Sequence, residues 1–356
     1  MVNNKCDSFV EQISESIRGG IYSTGERIPS ERDLCDQFGL SRTTVRNGIA
    51  ALVEKGLITH TKRGGVITSQ ARAILESPHA PDAATVWFIG DPGCMENPIL
   101  QTVFNTIVSS IIPHYKPQVC LWSSDSRELP GEITGGQTVF LFGMRPEFQI
   151  RILEEITGKI VFINSRHPRC HWVSPDNYAG GRQLAEYLYD CGHRKISALF
   201  YGQPPQGAYD EFYERYQGAR DFLWKKGIAL NPLLTLERNG LSDFQLAQRG
   251  YQILRERECP TAILAQRDGT AMAIYELPAS HRQRIPDELS IVGFDDLPSA
   301  AYLVPTLTTV RYPSEALAAA AVDILKRLDQ GETGPLQISI SPRLLVRQSV
   351  KKITVE

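Results

Sequence analysis

The chain has 356 residues, 42% hydrophobic and 22% charged, a globular composition with enough apolar material for more than one core. No apolar run approaches the roughly 20 residues that cross a bilayer. The opening MVNNKCDSF carries no apolar secretion segment, so the expectation is a cytoplasmic protein without a membrane partner. Seven cysteines (Cys6, Cys35, Cys94, Cys120, Cys170, Cys191, Cys259) are odd in number and scattered, with no C-x-x-C pair. That pattern fits reduced, structural thiols rather than a disulfide framework. The net charge of −2 argues weakly against nucleic acid, but residues 1–75 hold ten Lys/Arg and eight Asp/Glu, leaving −4 for the rest. Between 41 and 63 the basic residues are Arg42, Arg46, Lys55, Lys62 and Arg63, against the single acid Glu54. A local basic stripe on an acidic chain is the footprint of a phosphate-binding module.

In chain order, Phe9, Val10, Ile13 and Ile17 recur at spacings of three and four and predict a helix over 7–19, closed by Gly19-Gly20. Ser30 stands as N-cap of a second helix, SERDLCDQF, which Gly39 breaks. Ser41 caps a third, SRTTVRNGIAALVEKG, with Val45, Ile49, Leu52 and Val53 on its inward stripe. Opposite that stripe lie Arg42, Thr43, Arg46 and Asn47. LITHTKRGGVITS then reads as a β-hairpin around Lys62-Arg63-Gly64-Gly65. A helix that presents Arg and Thr near its N-terminal end suits the major groove, where Arg can fork onto guanine and Thr can meet a thymine methyl. The glycines of the hairpin tip would let the main chain approach phosphates.

The stretches GERIPSERDLCDQFGLSRTTVRNGIAALVEKGLI and KRGGVIT, within roughly 8–69, resemble the GntR family of winged helix-turn-helix regulators. The resemblance implies DNA contact through Arg32, Arg42, Thr43 and Arg46, and through a wing formed by Lys62, Arg63, Gly64 and Gly65.

SQARAILESPHAPDAA has two prolines and no strand pattern and reads as a linker. The expected organisation is a DNA-binding domain over 1–69, a linker over 70–84 and a larger domain over 85–356. In the larger part short apolar runs alternate with amphipathic helices. TVWFIG precedes a helix opening at Asn97-Pro98. QVCLW, TVFLFG and KIVFIN are strands, with a helix near 146–157 between the last two. GGRQLAEYLYDCG is a helix, KISALFYG a strand, EFYERYQGARDFLWKKG a helix, and PTAILA and ELSIVGFD strands. Such alternation predicts an α/β fold with parallel sheets covered on both faces.

The motifs VSPDNYAGGRQLAEYLYDCGHRKI, ERYQGARDFL, PTAILAQRD, RIPDELSIVGFDDLPSAAYLVPTLTTVR and SPRLLVRQS resemble the sensor domain of LacI/GalR regulators, related to periplasmic sugar-binding proteins. That resemblance implies two α/β lobes joined by crossover strands, with a sugar or sugar-derived effector between them, beyond the carboxyl ends of the strands. Carried over residue by residue, it points to Arg215 and Asp295, with Asn164 and Asp91 as further candidates and Phe244 as an apolar wall. Where the pattern has Asn-Asp, this chain has Arg267-Asp268. Arg267 beside Arg215 would favour a carboxylate or phosphate on the ligand, or else it points away and neutralises Asp268. The usual LacI/GalR head and hinge helix are missing, and the GntR-like head stands in their place.

His167, Cys170, His171, Cys191 and His193 are zinc-capable, but their spacing is loose and Gly192-His193-Arg194 matches the sensor pattern's own turn, so no metal or other cofactor is expected. No phosphate loop, nucleophile elbow or H-E-x-x-H occurs. The reading is a non-enzymatic, ligand-responsive repressor, a homodimer on a palindromic double-stranded operator. The alternatives are a regulator with an anionic effector, one with a degenerate pocket that answers to a protein partner, and an α/β enzyme with an appended DNA-binding head.

Overall fold

The computed structural model describes residues 3–18, 21–61, 64–68, 71, 84–90, 97–112, 114–121, 133, 136–142, 159–201, 209–234, 236 and 239–354. The chain divides into two compact units, Met1–Val86 with Ile107–Gln118, and Trp87–Thr106 with Val119–Glu356. Apart from Ala71 and Ala84, the expected linker over 70–84 lies outside the described residues, as does the helix expected near 146–157.

The N-terminal part follows the apolar spacing of its sequence. Helix α1 (Asn3–Arg18), α2 (Glu31–Phe38) and α3 (Arg42–Glu54) precede a hairpin of β1 (Ile58–Thr61) and β2 (Gly64–Ile67). The Ser30 and Ser41 side chains accept the backbone N–H groups of Asp33 and Thr44, and Gly39 closes α2 in the left-handed region at φ 63. These caps satisfy end groups that a helix cannot satisfy itself and fix the turn between the two helices. Phe9, Ile13, Ile17, Leu34, Val45 and Leu52 are fully buried in one core. The segment 25–28 also pairs onto β2: Gly25 N–H and Ile28 N–H donate to the Ile67 and Gly65 carbonyls, and Ile67 N–H donates to the Glu26 carbonyl. Only the hairpin was legible in the sequence, because this third piece is short and bracketed by Gly25 and Pro29.

The remainder contains two sheets. One has the order β12-β7-β6-β5-β3-β4, made of β3 (Ala84–Gly90), β4 (Tyr115–Leu121), β5 (Thr138–Phe142), β6 (Lys159–Ile163), β7 (His171–Pro175) and β12 (Gln337–Ile340). In it β5, β6, β7 and β12 are parallel. The other has the order β13-β11-β10-β9-β8, made of β8 (Ile196–Leu199), β9 (Ala262–Ala265), β10 (Ser290–Asp295), β11 (Thr308–Arg311) and β13 (Arg343–Leu345). Here β8 to β11 run parallel and β13 is antiparallel to β11. Every residue of β5, β8 and β9 is buried, as expected of strands covered on both faces. The helices are α4 (Pro98–Ile111), α5 (Asn177–Asp190), α6 (Glu211–Lys225), α7 (Asp243–Arg257), α8 (Asp268–Tyr275) and α9 (Ser314–Asp329), with a 3₁₀ turn at Pro298–Ala301. The chain passes between the sheets after β7, after β11 and after β12. The sequence reading had not resolved β7, α7, α8, β11, α9, β12 or β13. Among the described residues no helix is long and apolar enough to cross a membrane.

Helices α5 and α6 approach each other backbone to backbone through two glycines. A Cβ on Gly218 would stand 2.0 Å from the Tyr178 carbonyl oxygen, and one on Gly181 would stand 1.9 Å from the Arg215 carbonyl oxygen. This contact sets the position of Arg215, one turn before Gly218. Gly218→Ala must force the helices apart and should destabilise the fold by about 1–3 kcal/mol or more. A lower urea midpoint with unchanged slope checks it, and an unchanged midpoint would show that the helix pair yields without cost.

Candidate functional site

In the N-terminal unit, Arg32, Arg42, Thr43, Arg46 and Asn47 are all exposed at α2 and the N-terminal end of α3. Glu31, the first residue of α2, gathers two of them. Arg42 Nε lies 3.2 Å and Arg46 Nε 3.0 Å from Glu31 Oε2. The two arginine side chains remain 73% and 62% exposed, so the carboxylate aims the guanidinium groups without burying them. The paired arginines hold the Glu31 carboxyl below its ordinary range, Arg42 contributing most. Sequence reasoning had passed over Glu31 because the residue it serves, Arg46, is fifteen positions away.

Lys62 and Arg63 lie outside the described residues. Gly64 pairs with Thr61 and Gly65 with His60 in the hairpin. Gly65 departs from the expectation of a glycine offered to phosphate at an exposed tip. It is buried, and a Cβ there would stand 3.0 Å from Ile28 Cδ1 and 3.3 Å from Ile58 Cδ1. Packing room for those two side chains is sufficient reason for a glycine at this position.

In the second unit, Asn97, Ile99, Leu100, Asn164, Glu211, Phe212, Arg215, Arg267, Asp295 and Tyr312 surround a cavity of about 40 Å³. It lies beyond the carboxyl ends of β6, β9, β10 and β11. A second cavity of about 250 Å³ shares Ile99, Asp295 and Tyr312 with it. Arg215 is only 2% exposed. Its Nε donates to Asn177 Oδ1 at 2.8 Å, its Nη1 donates to the Gln266 carbonyl at 3.1 Å, and its Nη2 lies 3.4 Å from Asp295 Oδ1. The guanidinium also sits 3.7 Å from the centre of the Phe294 ring. Asn177, fully buried, donates in turn to the Tyr209 hydroxyl at 2.7 Å.

The structure thus brings Asn164, Arg215, Arg267 and Asp295 to one cavity, while Asp91 lies outside the described residues. Two expectations need correction. Phe244 is half-buried at the start of α7 and does not line the cavity; the aromatic wall is Phe212, on α6 one turn before Arg215. Arg267 does not neutralise Asp268. Its Nη2 donates to Asp243 Oδ2 at 2.6 Å while the side chain borders the cavity. Asp268 is instead held by the Thr309 hydroxyl at 2.6 Å and the Leu297 N–H at 2.8 Å. Glu211 and Tyr312 were not anticipated: one acid in an acid-rich helix start and one Tyr after a strand carry no sequence signal of their own. His193, singled out as zinc-capable, is buried between the Thr261 hydroxyl at 3.0 Å and the Lys351 carbonyl at 3.1 Å. Among the described residues no group of three His, Cys, Asp or Glu side chains could hold a metal ion.

Residues 7–67 match the model of bacterial regulatory proteins of the gntR family, and residues 185–350 match a periplasmic binding protein-like domain. The chain is 24% identical to the arabinose metabolism transcriptional repressor of Halalkalibacterium halodurans, over 100% of this chain and 99% of that protein. It is 25% identical to the protein of the same name from Geobacillus stearothermophilus, over 96% of each. The solved complex of the transcriptional regulator CelR with cellobiose shares the fold with a TM-score of 0.62 at 20% identity, over 90% of this chain and 100% of that one. The chain is a transcription regulator with a GntR-type DNA-binding head and a periplasmic-binding-protein-like sensor domain.

In the regulator's sensor domain, burial pushes the Asp295 carboxyl up to about 6 despite the opposing pull of Arg215. Burial, reinforced by the nearby Asp295 charge, raises Asp268 to about 8. Both values exceed the unfolded ones, so the folded regulator binds these protons more tightly. Their contribution to stability is complete below the unfolded carboxylate range and is lost as pH rises through 6 and then 8. Asp268→Asn should therefore flatten the decline of the urea midpoint between about pH 5 and pH 8 relative to the unaltered regulator. Parallel curves would show that Asp268 does not titrate there.

Glu31→Gln frees Arg42 and Arg46 for phosphates. Binding to random DNA should tighten, and the slope of log affinity against log salt should steepen by about one to two. The preference for operator over random DNA should narrow. Anisotropy titrations at several salt concentrations check this, and unchanged slopes would mean that Glu31 does not compete with phosphate.

Proposed function

We propose that the regulator is a repressor that binds a palindromic operator as a dimer, through the α2–α3 face, and senses a neutral sugar in the Arg215–Asp295 cavity. In this reading residues 1–69 read DNA and residues 85–356 sense the effector. The observation that carries it is the pairing, in one chain, of an exposed Arg–Thr face at a helix N-terminus with a buried, acceptor-rich cavity at the strands' carboxyl ends.

The charge balance favours a neutral ligand. Both cavity arginines are engaged by acids, Arg215 with Asp295 and Arg267 with Asp243, and Glu211 adds a further carboxylate to the lining. Among the described residues of the lining an anion would meet carboxylates and no unpaired cation, whereas sugar hydroxyls donate readily to carboxylates. Two relatives named as arabinose repressors and a neighbour holding cellobiose support the same class. For the dimer, Tyr302, Val304 and Val346 leave 85%, 87% and 57% of their surface exposed on the sensor domain, apolar area that a second copy would cover.

The test is thermal stabilisation of the full chain by L-arabinose, D-ribose, cellobiose, gluconate and arabinose 5-phosphate. A neutral sugar at one hundred times its Kd should stabilise by about 2.7 kcal/mol. Asp295→Ala should abolish the effect. Stabilisation by the anions alone would overturn the neutral reading. On the DNA side, Arg46→Ala should cost about 1–3 kcal/mol on operator and much less on random DNA. Equal losses on both would assign Arg46 to phosphate.

A further inference from the structure

Six buried side-chain polar atoms have no hydrogen-bond partner among the described residues, and two of them, Asn164 Oδ1 and the Tyr312 hydroxyl, belong to residues lining the same cavity. Leaving such atoms unpaired costs free energy, and native structures keep very few of them. Tyr312 is only 5% exposed, so bulk water does not satisfy its hydroxyl. Its backbone is anchored, with its N–H donating to the Asp295 carbonyl at 3.3 Å.

The orientation of Asn164 follows from its neighbour. Its Nδ2 donates to Glu211 Oε2 at 2.5 Å, and turning the amide over would set an acceptor against a carboxylate. Oδ1 is thereby fixed as the free acceptor. Asn164 also holds the left-handed conformation, φ 58, which aims the side chain from the end of β6 at some backbone cost. Tyr312 offers a phenolic O–H, which burial keeps protonated far above neutral pH. An unpaired acceptor and an unpaired donor thus belong to two residues that line one cavity of about 40 Å³, room for a group or two the size of a water molecule. A carboxylate or fully ionised phosphate group has no hydrogen to give Asn164, and an ammonium has no lone pair to accept from Tyr312. A hydroxyl does both.

We propose that Tyr312 and Asn164 form a hydroxyl-reading subsite of the effector cavity, in which a ligand hydroxyl donates to Asn164 Oδ1 and accepts from the Tyr312 O–H. This rests on the sugar-sensing reading above and extends it by naming the groups that distinguish a polyol from an isosteric ligand lacking that hydroxyl. Sites that hydrogen-bond a ligand hydroxyl reject analogues without it far more strongly than apolar pockets reject size changes. Tyr312 also borders the larger neighbouring cavity, as does Asp295.

Tyr312→Phe in the full chain tests the proposal, because it removes one oxygen and keeps the ring. A hydroxyl without a partner contributes nothing to the free protein, so the melting midpoint of the ligand-free variant should equal or exceed that of the parent. Calorimetric titration with L-arabinose, D-ribose and cellobiose should show about three- to tenfold weaker binding of whichever sugar the parent binds. A lower ligand-free midpoint would show that the hydroxyl has an internal partner and would overturn the proposal. Equal sugar affinity in parent and variant would overturn it while leaving the sugar reading intact. Failure of the parent to bind any of the three sugars would overturn the sugar reading and this subsite together.

Discussion

The buried Arg215 guanidinium is the constraint around which the sensor domain is arranged. A cation at 2% exposure is tolerable only when each nitrogen is satisfied, and here Asn177, Gln266 and Asp295 share that work, with the Phe294 face beneath. Those partners come from α5, the end of β9 and the end of β10, so satisfying one side chain fixes three elements around the cavity. The glycine contact between α5 and α6 is the same requirement seen in the backbone, since a wider spacing would carry Arg215 away from Asn177. Asp295 and Asp296 take positive φ values of 116 and 56, conformations that non-glycine residues adopt only when their surroundings force them. Arg347 and Arg311 grip the Asp296 carboxylate at 2.5 and 2.7 Å, and the Leu297 N–H is tied to Asp268. The turn that presents Asp295 to the cavity is thus held from both sides.

The head solves a milder version of the same problem. Arg42 and Arg46 stay in solvent, where pairing with Glu31 contributes little stability, so the value of the contact lies in orientation. Two guanidinium groups drawn to one carboxylate occupy fewer rotamers than two free ones, which lowers the cost of ordering them in any later contact. The same carboxylate must give way to any phosphate that claims either arginine, and this sets specific contact against non-specific contact.

Much of the head was legible in the sequence, because caps, apolar spacing and glycine stops are local signals: Ser30, Gly39 and Ser41 act where their neighbours predict, although α1 begins at Asn3 and not near residue 7. In the sensor domain the apolar runs located the central strands and helices, and ordered motifs located Arg215 and Asp295. The rest depends on partners distant in sequence. Arg267 meets Asp243, and Asn164 meets Glu211 forty-seven positions away. Phe244 and Phe212 both open helices rich in polar residues, and only the fold decides which of them faces the cavity. Gly65 illustrates the opposite error: its reason is an Ile28–Ile58 contact inside the wing, which a hairpin pattern cannot express.

The size of the cavity bears on signalling. Pockets that enclose a small ligand are usually about 300 Å³ or larger, whereas the space between Asn164, Arg215 and Asp295 is about 40 Å³ and adjoins, at Tyr312, a cavity of about 250 Å³. Any ligand the size of a sugar ring that enters here would have to displace part of the lining. That lining joins Asn97, Ile99, Leu100 and Asn164, in and beside the six-stranded sheet, to Arg215, Arg267 and Asp295 of the five-stranded one. A ligand that fits one spacing of these two groups of residues binds that spacing more tightly than another, and this difference in affinity is the only quantity that can move an equilibrium between states. The chain passes between the two sheets three times, after β7, β11 and β12, and loop or element-terminal residues at such passages are where hinge changes are absorbed. Residues that line the cavity from both sheets would, for any ligand held there, be the ones whose spacing reports it.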